Sequence, residues 1–466
     1  MPFDKNEFLR GAAAASILAL TLALPQPTWA ENIRDAVQRS FANSDARKVA
    51  IASISAQNRS VAIAQGERGV TVDLSAEAAI ENIDDSTLSG SPDNDDTDFA
   101  RQISITASYP LLDGMRSLNT LYREATLLDA EIIRLADAAE TIALNAVQAY
   151  VDVYRRQQIV QISRENIAVH RKIAEQVDAQ VDAGKLSEPD RFQASDKLLA
   201  ARLAHADAKA SLSDALSTYQ FVIGSQPRGA LSLGGSVPSP GSQSNATQVA
   251  LQNSNLVKIA QKDIDALKYQ SAAELAQWQP QLDLFLRGAF EEDVEGSPGT
   301  ETSLSAGVRL NWTLYKGGTK AETVARGRDL EIRAYYRKKQ VEDEVRNLAR
   351  KAWNAYAAAV ERKQLLDRTV ANNEKIRDAF RREFEAAKRP LLQVLDAERA
   401  LFNLKVRRAN ANSSVAFQRY RILAAQSRLA RHFGLSSFGG VLDPTFESRV
   451  LAAPRDGFDI TLPPLE

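Results

Sequence analysis

Apolar and polar residues alternate with a period of two in four segments of the chain, which predicts four β-strands. The apolar positions are Val70, Val72, Leu74, Ala76 and Ala78, then Ile103, Ile105, Ala107 and Tyr109, then Leu282, Leu284, Leu286 and Phe290, and last Leu304, Ala306, Val308, Leu310 and Trp312. Acidic, turn-rich loops at residues 81–99 and 291–301 join the strands in pairs. Such strands fit a barrel wall between lipid and water, and alternation alone fits a soluble sheet with one buried face equally well.

Two aromatic residues at equivalent strand ends, Tyr109 and Trp312, favour the membrane interpretation, because aromatic side chains collect at the bilayer interface. No segment after residue 30 has the apolar length of a membrane-spanning helix, so a spanning part would consist of strands. Four strands cannot close a barrel, since the smallest membrane barrels have about eight. Copies of the chain must therefore pool their strands, in a dimer with eight or a trimer with twelve.

Long helical segments follow each strand pair. Residues 115–183 contain neither Pro nor Gly and would form a helix of roughly 100 Å at ~1.5 Å per residue. Its apolar positions alternate steps of three and four, as in a heptad seam: Leu118, Leu121, Ala125, Leu128, Ile132, Leu135, Ala139, Ile142, Ala146, Ala149 and Val153. Residues 319–387 have a weaker seam at Leu330, Ala334, Val341, Val345, Leu348 and Ala352. After turns at 184–189 and 387–390, return helices are expected at 190–223 and 391–433. A simple coiled-coil rod would need no strand pairs at the end of its helices.

The chain is a duplication. At a shift of 203 residues, YPLLDG (109–114) aligns without gaps with WTLYKG (312–317), and residues 184–194 align with 387–397. A strand–helix–turn–helix unit therefore occurs twice. We expect a signal peptide at residues 1–30, a first structural repeat at 31–225, a linker at 226–250, a second repeat at 251–434 and an irregular tail at 435–466.

The first thirty residues have the order of a secretory signal. Lys5 and Arg10 precede an apolar run at residues 11–24, and Ala30 ends a plausible cleavage site. The chain has no Cys, which excludes disulfides, thiolate chemistry and a lipid-anchoring Cys. Its 58 basic and 59 acidic residues nearly balance, so bulk nucleic-acid binding is not expected.

Enzymatic and metal-binding motifs are not expected either. His170, His205 and His432 stand singly, without the spacing of metal ligands, and no glycine-rich phosphate loop follows a strand. We predict no catalytic residues, no metal and no cofactor.

The segment 384–398, FEAAKRPLLQVLDAE, is the most specific part of the sequence. With residues 181–190, 219–227 and 420–424, it resembles the TolC-like family of outer-membrane channel proteins. The resemblance covers nearly all of the chain after residue 30. It implies a mainly α fold with a membrane β-barrel, in which a trimer completes twelve strands and its helices form a long α-helical barrel across the periplasm. The trimer is thereby favoured over the dimer.

The resemblance also implies roles at the inner tip of that tunnel. Arg389 on the second turn would link to Asp190 on the first and hold the tip closed, within or between chains. Gln393 and Asp396 fall at the two positions where the family has acidic selectivity rings in the pore. Because Gln393 is neutral, one of these rings carries no charge here. Two simpler interpretations stay open: Asp190 as an acid favoured in a helix's first turn, and Arg389 as a solvated turn residue.

The tip turns themselves are expected at Gly184, Lys185, Ala387 and Lys388, where Ala387 replaces a glycine of the family pattern. An alanine there matters only if the backbone needs a positive φ.

Two classes of function fit these features. The first is a homotrimeric export duct in the outer membrane with a periplasmic extension, served by a periplasmic adaptor (membrane fusion) protein and an inner-membrane ABC exporter or proton-driven pump. The second is a periplasmic coiled-coil adaptor, which the two helical hairpins and two strand pairs disfavour. Within the first class, segment 384–398 favours type I protein secretion over multidrug efflux, while the cargo cannot be deduced from the sequence.

Overall fold

The computed structural model describes residues 31–84, 95–229, 231–233, 237–238, 241–294, 297–386 and 388–435. The expected signal peptide, nearly all of the expected tail and Ala387 of the second tip turn therefore lie outside the described residues.

Two series of elements follow one another along the chain. The first is α1 (Ile33–Asn43), α2 (Asp45–Gly66), β1 (Thr71–Asp84), β2 (Asp95–Leu112), α3 (Arg116–Asp182) and α4 (Glu188–Ile223). The second is α5 (Gln243–Asn253), α6 (Asn255–Ala276), β3 (Gln281–Val294), β4 (Ser297–Asn311), α7 (Thr319–Glu385), α8 (Leu391–Ala425) and α9 (Leu429–His432).

The repetition extends further than the sequence alignment. The long helices α3 and α7 each have 67 residues and begin 203 positions apart, as the alignment predicts. Helices α2 and α6 also match in length, with 22 residues each, but they begin 210 positions apart. Strands β1 and β3 also begin 210 positions apart, whereas α3 and α7, which follow the hairpins, begin 203 apart. The seven-residue difference therefore lies within the strand hairpins.

The four strands form one antiparallel sheet in the order β1-β2-β3-β4. The strands are longer than expected: β1 continues to Asp84 and β2 begins at Asp95, both inside the predicted loop at 81–99. Strands β3 and β4 likewise extend into the loop predicted at 291–301. These residues pair with the neighbouring strand in antiparallel register although their composition is that of a turn. Among the described strands, β1 and β4 each keep one unpaired edge.

The seam predicted for α3 is confirmed by burial. Nine of its eleven positions are buried, and Leu118 and Ile132 are partly buried. Helix α4 packs against α3. Its buried alanines recur at every seventh residue, at Ala194, Ala201, Ala208 and Ala215. Alanine at this spacing allows the two helix backbones to approach closely.

The seam predicted for α7 is partly wrong. Val345 and Ala352 are buried as expected, but Leu348 is 51% exposed and Ala349 is buried in its place. Helix α5 causes this shift, because its Ala250 packs with Val345 and Ala349 in one cluster. Helix α5 itself begins at Gln243, within the segment expected to be a linker, where Ser242 accepts a hydrogen bond from the backbone N–H of Asn245 at 3.2 Å.

The long helices form one layer, in which α3 packs on α4 and α8, and α8 packs on α7. Helix α6 packs on both α3 and α7, as α8 does, and α2 packs on α3, as α4 does, so α2 and α6 continue the layer, whereas α1 packs on α3 and α4 and α5 packs on α7. Trp353 of α7 donates its indole N–H to the carbonyl of Gly241, just before α5, at 3.2 Å. The Tyr150 hydroxyl of α3 lies within hydrogen-bond distance of the carbonyls of Glu31 (2.5 Å) and Ser232 (2.8 Å) and can donate to either. Among the described helices, none has an apolar stretch sufficient to cross a bilayer.

The return helix predicted at 391–433 is broken near its end. Helix α8 stops at Ala425, and Ser427 adopts a positive φ of 50° before α9 begins. The carboxylate of Glu140 on α3 accepts hydrogen bonds from the backbone N–H groups of Leu429 (2.9 Å) and Ala430 (3.1 Å). These N–H groups have no partner inside α9, so Glu140 satisfies them and fixes the break.

Glu140 should make the stability of the protein depend on pH. Burial raises its pKa from 4.5 to about 7, although the two N–H donors oppose this effect. The folded state therefore holds its proton more tightly than the unfolded chain, and stability should fall as pH rises from about 4.5 to 7, by at most about 3 kcal/mol per chain. Glu140→Gln should flatten this part of the pH profile of the melting temperature.

Glu165→Gln provides the control, because Glu165 is an exposed carboxylate on the same helix. Its pH profile should match that of the unsubstituted protein, whatever the absolute melting temperatures. A Glu140→Gln profile with the original slope between pH 5 and 7 would show that another group titrates there.

Candidate functional site: the tip turns and the sheet faces

The first tip turn joins α3 to α4 through a glycine in the left-handed region. Gly184 has a φ of +69°, and its N–H donates to the carbonyl of Val181 at 2.8 Å. Lys185 donates its N–H to the carbonyl of Gln180, also at 2.8 Å. These bonds satisfy the last carbonyls of α3, in the manner of a helix that ends on glycine. Gly184 and Lys185 are both exposed, at the end of the molecule.

Asp190 stabilises the start of α4. Its Oδ2 accepts hydrogen bonds from the backbone N–H (3.1 Å) and the hydroxyl (2.6 Å) of Ser187. The local interpretation of Asp190, as an acid in a helix's first turn, therefore applies within one chain. The neighbouring Arg191 forms ion pairs with Asp178 (3.3 Å) and Glu188 (2.7 Å), and with Asp182.

Arg389 is held inside the second turn. Its Nε donates to Glu383 Oε2 at 2.6 Å, its Nη1 donates to Gln393 Oε1, and its guanidinium lies 3.6 Å from the ring centre of Phe380. Arg389 is thus not a freely solvated residue, in contrast to the simpler interpretation of the sequence. The contacts of Arg389 with Glu383 and Phe380 were not predicted from the sequence, because a turn separates these residues from Arg389 and no sequence pattern indicates the pairing.

One chain does not bring Arg389 and Asp190 into contact. Within the described part of the chain, the Nη2 of Arg389 and the Oδ1 of Asp190 have no hydrogen-bond partner. Both atoms therefore remain available to a second chain. Asp396 is half exposed, and Arg399 approaches its Oδ1 at 3.4 Å. Lys388 on the same turn is exposed.

The two turns lie at one end of the helical layer, over a shared apolar core. Its buried members come from all four long helices: Ile173, Val177, Ala194, Phe384, Leu391, Val394 and Leu395. Burial of these side chains holds the hairpins α3–α4 and α7–α8 together at the tip.

A buried charge lies just behind this core, and the sequence did not reveal it. Glu398 of α8 is 4% exposed and pairs with Arg381 of α7 at 2.6 Å. Burial raises its pKa, while Arg381 and Arg377 oppose the shift. His170 is also buried nearby, and burial together with Arg381 and Lys197 lowers its pKa, so it is neutral at pH 7. No group of described residues has the composition of a metal site.

The sheet has one apolar face across all four strands. Residues in register form the rows Val72–Ala107–Leu286–Ala306, Leu74–Ile105–Gly288–Leu304 and Tyr109–Leu284–Val308. Asp283 and Arg309 are direct neighbours on the opposite face, as are Arg287 and Ser305. The alternation predicted from sequence thus aligns between strands, so that apolar side chains share one surface.

Aromatic residues mark the end of the sheet near the helices. Tyr109 lies in the apolar row of Val308, and Trp312 follows β4 with its indole N–H on the carbonyl of Trp278 at 3.3 Å. Phe285 departs from the pattern, because it lies on the polar face. Its ring lies where a Cβ on Gly307 would come within 3.1 Å, and Arg309 stacks on it at 4.9 Å. A glycine therefore leaves room for an aromatic side chain across the strands.

Comparison with known proteins agrees with this architecture. Residues 246–426 match the family model described as outer membrane efflux protein. The outer membrane efflux protein BepC of Brucella suis is 23% identical over 418 residues, which cover 90% of each chain. The alkaline protease secretion protein AprF of Pseudomonas aeruginosa is 22% identical over 320 residues, which cover 65% of this chain and 63% of AprF.

Solved structures share the fold over most of their length. CusC superposes with a TM-score of 0.71 at 15% identity, covering 85% of this chain and 92% of CusC. VceC of Vibrio cholerae gives 0.69 at 14% identity, covering 85% and 96%. OprN gives 0.70 at 17% identity, covering 86% and 90%. Residues 246–426 therefore match the outer membrane efflux protein family, and most of the chain shares the fold of these solved outer-membrane proteins, as the TolC-like resemblance predicts.

Proposed function

We propose that three copies of this chain form an export duct across the outer membrane and the periplasm, and that the duct serves type I protein secretion. The observation that carries the duct is the pair of unpaired edges on β1 and β4, on a sheet with one apolar face. Backbone groups on such edges are costly in lipid unless another strand pairs with them. Because β1 and β4 run antiparallel, β4 of one chain can continue the sheet into β1 of the next.

The helical layer has matching free sides. Helices α4 and α7 lie at its two ends, and both expose large apolar side chains. On α4 these are Phe192, Leu199 and Leu203, and on α7 they include Tyr335, Tyr336 and Leu365. Contact between α4 of one chain and α7 of its neighbour would bury both rows. The same three-fold closure would therefore complete the barrel and the helical tunnel.

Segment 384–398 and the similarity to AprF, whose name states alkaline protease secretion, support polypeptide cargo. The similarity to the efflux protein BepC extends over more of the chain and favours the second candidate, efflux of small molecules. In either case the duct is passive. An inner-membrane pump would deliver the cargo, and a periplasmic adaptor would connect the pump to the tip turns.

The tip residues form the gate in this proposal. Arg389 Nη2 and Asp190 Oδ1 would pair across neighbouring chains while their other atoms keep the contacts within the chain. An exposed pair contributes only about 0–1 kcal/mol, so three pairs make a weak lock that an adaptor can open. Three copies of Asp396 near the axis would favour cations at the entrance.

Deletion of the gene should separate the two kinds of cargo. We expect one or a few proteins to disappear from the culture medium, and susceptibility to antibiotics and dyes to stay within about twofold. The proteins in the medium would be compared by mass spectrometry, with a strain restored by the wild-type gene as control. Unchanged secretion with a large rise in susceptibility would favour efflux and contradict the secretion proposal.

The two faces of the sheet should respond differently to charge. Val308→Arg would place a guanidinium in lipid and should cost roughly 2–4 kcal/mol at mid-depth, so the yield of outer-membrane trimer should fall. Ser305→Arg on the same strand would place the same group in the water-filled lumen and should assemble normally. Trimer yield would be measured by light scattering after detergent extraction. Equal losses in the two variants would show that the faces are assigned incorrectly.

Removal of the gate arginine should open the tip. Arg389→Ser should raise single-channel conductance in planar bilayers, because the link to Asp190 is lost. Lys388→Ser removes the same charge from the same turn and should leave the conductance nearly unchanged. Asp396→Asn should weaken the preference for cations without opening the pore. If the Arg389 and Lys388 variants conducted alike, local charge rather than a specific pair would control the tip.

A further inference from the structure

A long trough follows helix α8 between the break at α9 and the tip. It consists of two hollows of about 560 and 800 Å³, which share Arg155, Asn410 and Ser414. The first hollow lies between α3, α4 and α8, and the second between α3, α7 and α8. The trough therefore extends across the four long helices of one chain.

The trough lies on the side of the helical layer opposite to the segments that lead into α1 and α5. On α7, Trp353 points to the segment before α5, and Arg362 in the trough follows nine residues later, about two and a half turns. On α3, Tyr150 points to Glu31, and Gln148 in the trough is two residues away, on the opposite side. In the proposed duct α1 and α5 would obstruct the tunnel if they pointed inward, so they belong on its outer side. The trough therefore lines the tunnel.

Its charge is strongly positive. The lining residues include three arginines from three helices, Arg155, Arg362 and Arg407, and a single acid, Asp152. Asp152 is already paired with Arg155 and lies 3.9 Å from Arg156. Arg362 and Arg407 are exposed, and neither forms an ion pair with any residue that the structure describes. Three chains would place six uncompensated arginines around one level of the tunnel.

Polar atoms in the trough are also left without partners. The hydroxyl of Ser413 is buried in the first hollow and has no hydrogen bond to the described residues, although its residue is only 3% exposed. The Nε of Arg155 is likewise buried and unbonded.

We propose that this trough binds carboxylate-rich stretches of the polypeptide cargo as they pass through the tunnel. The proposal rests on the export function and adds the class of segment that the wall recognises. Arginine presents a planar fork of donors that suits carboxylates in particular. The amides of Asn145, Gln148 and Asn410 can pair with the peptide groups between those carboxylates. A small inorganic anion would occupy only a fraction of a trough of this volume.

The test uses the wild-type trimer in planar bilayers, with a ten-residue glutamate peptide added on the barrel side. The peptide should block the current in long events, and Arg362→Gln with Arg407→Gln should shorten these events about fivefold or more. High salt should shorten the wild-type events as well, because it screens the arginines. A ten-residue glutamine peptide should produce no long events in either protein.

Arg346→Gln is the matched control. Arg346 lies on α7 about two turns before Trp353, on the side of α5, and it is paired with Asp343. Events of equal length in wild type and the double variant would overturn the proposal while leaving the duct intact. If sulfate at the same concentration of negative charge suppressed the long events, the trough would bind inorganic anions, and the proposal that it binds polypeptide would be wrong. Absence of any channel conductance would instead refute the duct, and this proposal with it.

Discussion

Backbone hydrogen bonding in the sheet is the constraint on which the rest of the architecture depends. A sheet of four strands with one apolar face leaves N–H and C=O groups unpaired along β1 and β4. In water those groups would be hydrated, whereas in lipid they need strands from other chains. The same chain also leaves apolar side chains exposed on α4 and α7, at the two ends of its helical layer. Rotational symmetry that repeats the chain around one axis pairs the strand edges and buries these apolar side chains at the same time.

Duplication makes such a closed arrangement possible. Helices α3 and α7 have the same length of 67 residues, so the distance from sheet to tip is the same in both halves. Their partners α4 and α8 differ by one residue, with 36 and 35. A ring built from these helices can end at one level at the sheet and at one level at the tip. The variable part is the hairpin, where a change of seven residues does not disturb the helices.

The sequence predicted the burial of a helix correctly where that burial follows the helix's own apolar pattern. The seam of α3 could be predicted because its neighbours bury the whole apolar stripe. The seam of α7 could not, because α5 packs on it and buries Ala349 instead of Leu348. The break after α8 depends on Glu140, which lies 289 residues from Leu429. At the tip, the turns could be predicted from the sequence pattern and the role of Arg389 from the resemblance, whereas the contacts of Arg389 with Glu383 and Phe380 follow from the direction in which the chain reverses.

Charge along the proposed tunnel is arranged in local patches. The whole chain has a formal net charge of −1, which conceals an acidic residue near the tip at Asp396 and an arginine-lined trough further along α8. Electrostatic effects decay over about 8 Å at physiological salt, far less than the roughly 100 Å length of the helices. Each patch therefore acts on the segment of cargo beside it. A passive duct can then favour cations at its entrance and bind carboxylates in its middle, with no conformational change between the two sites.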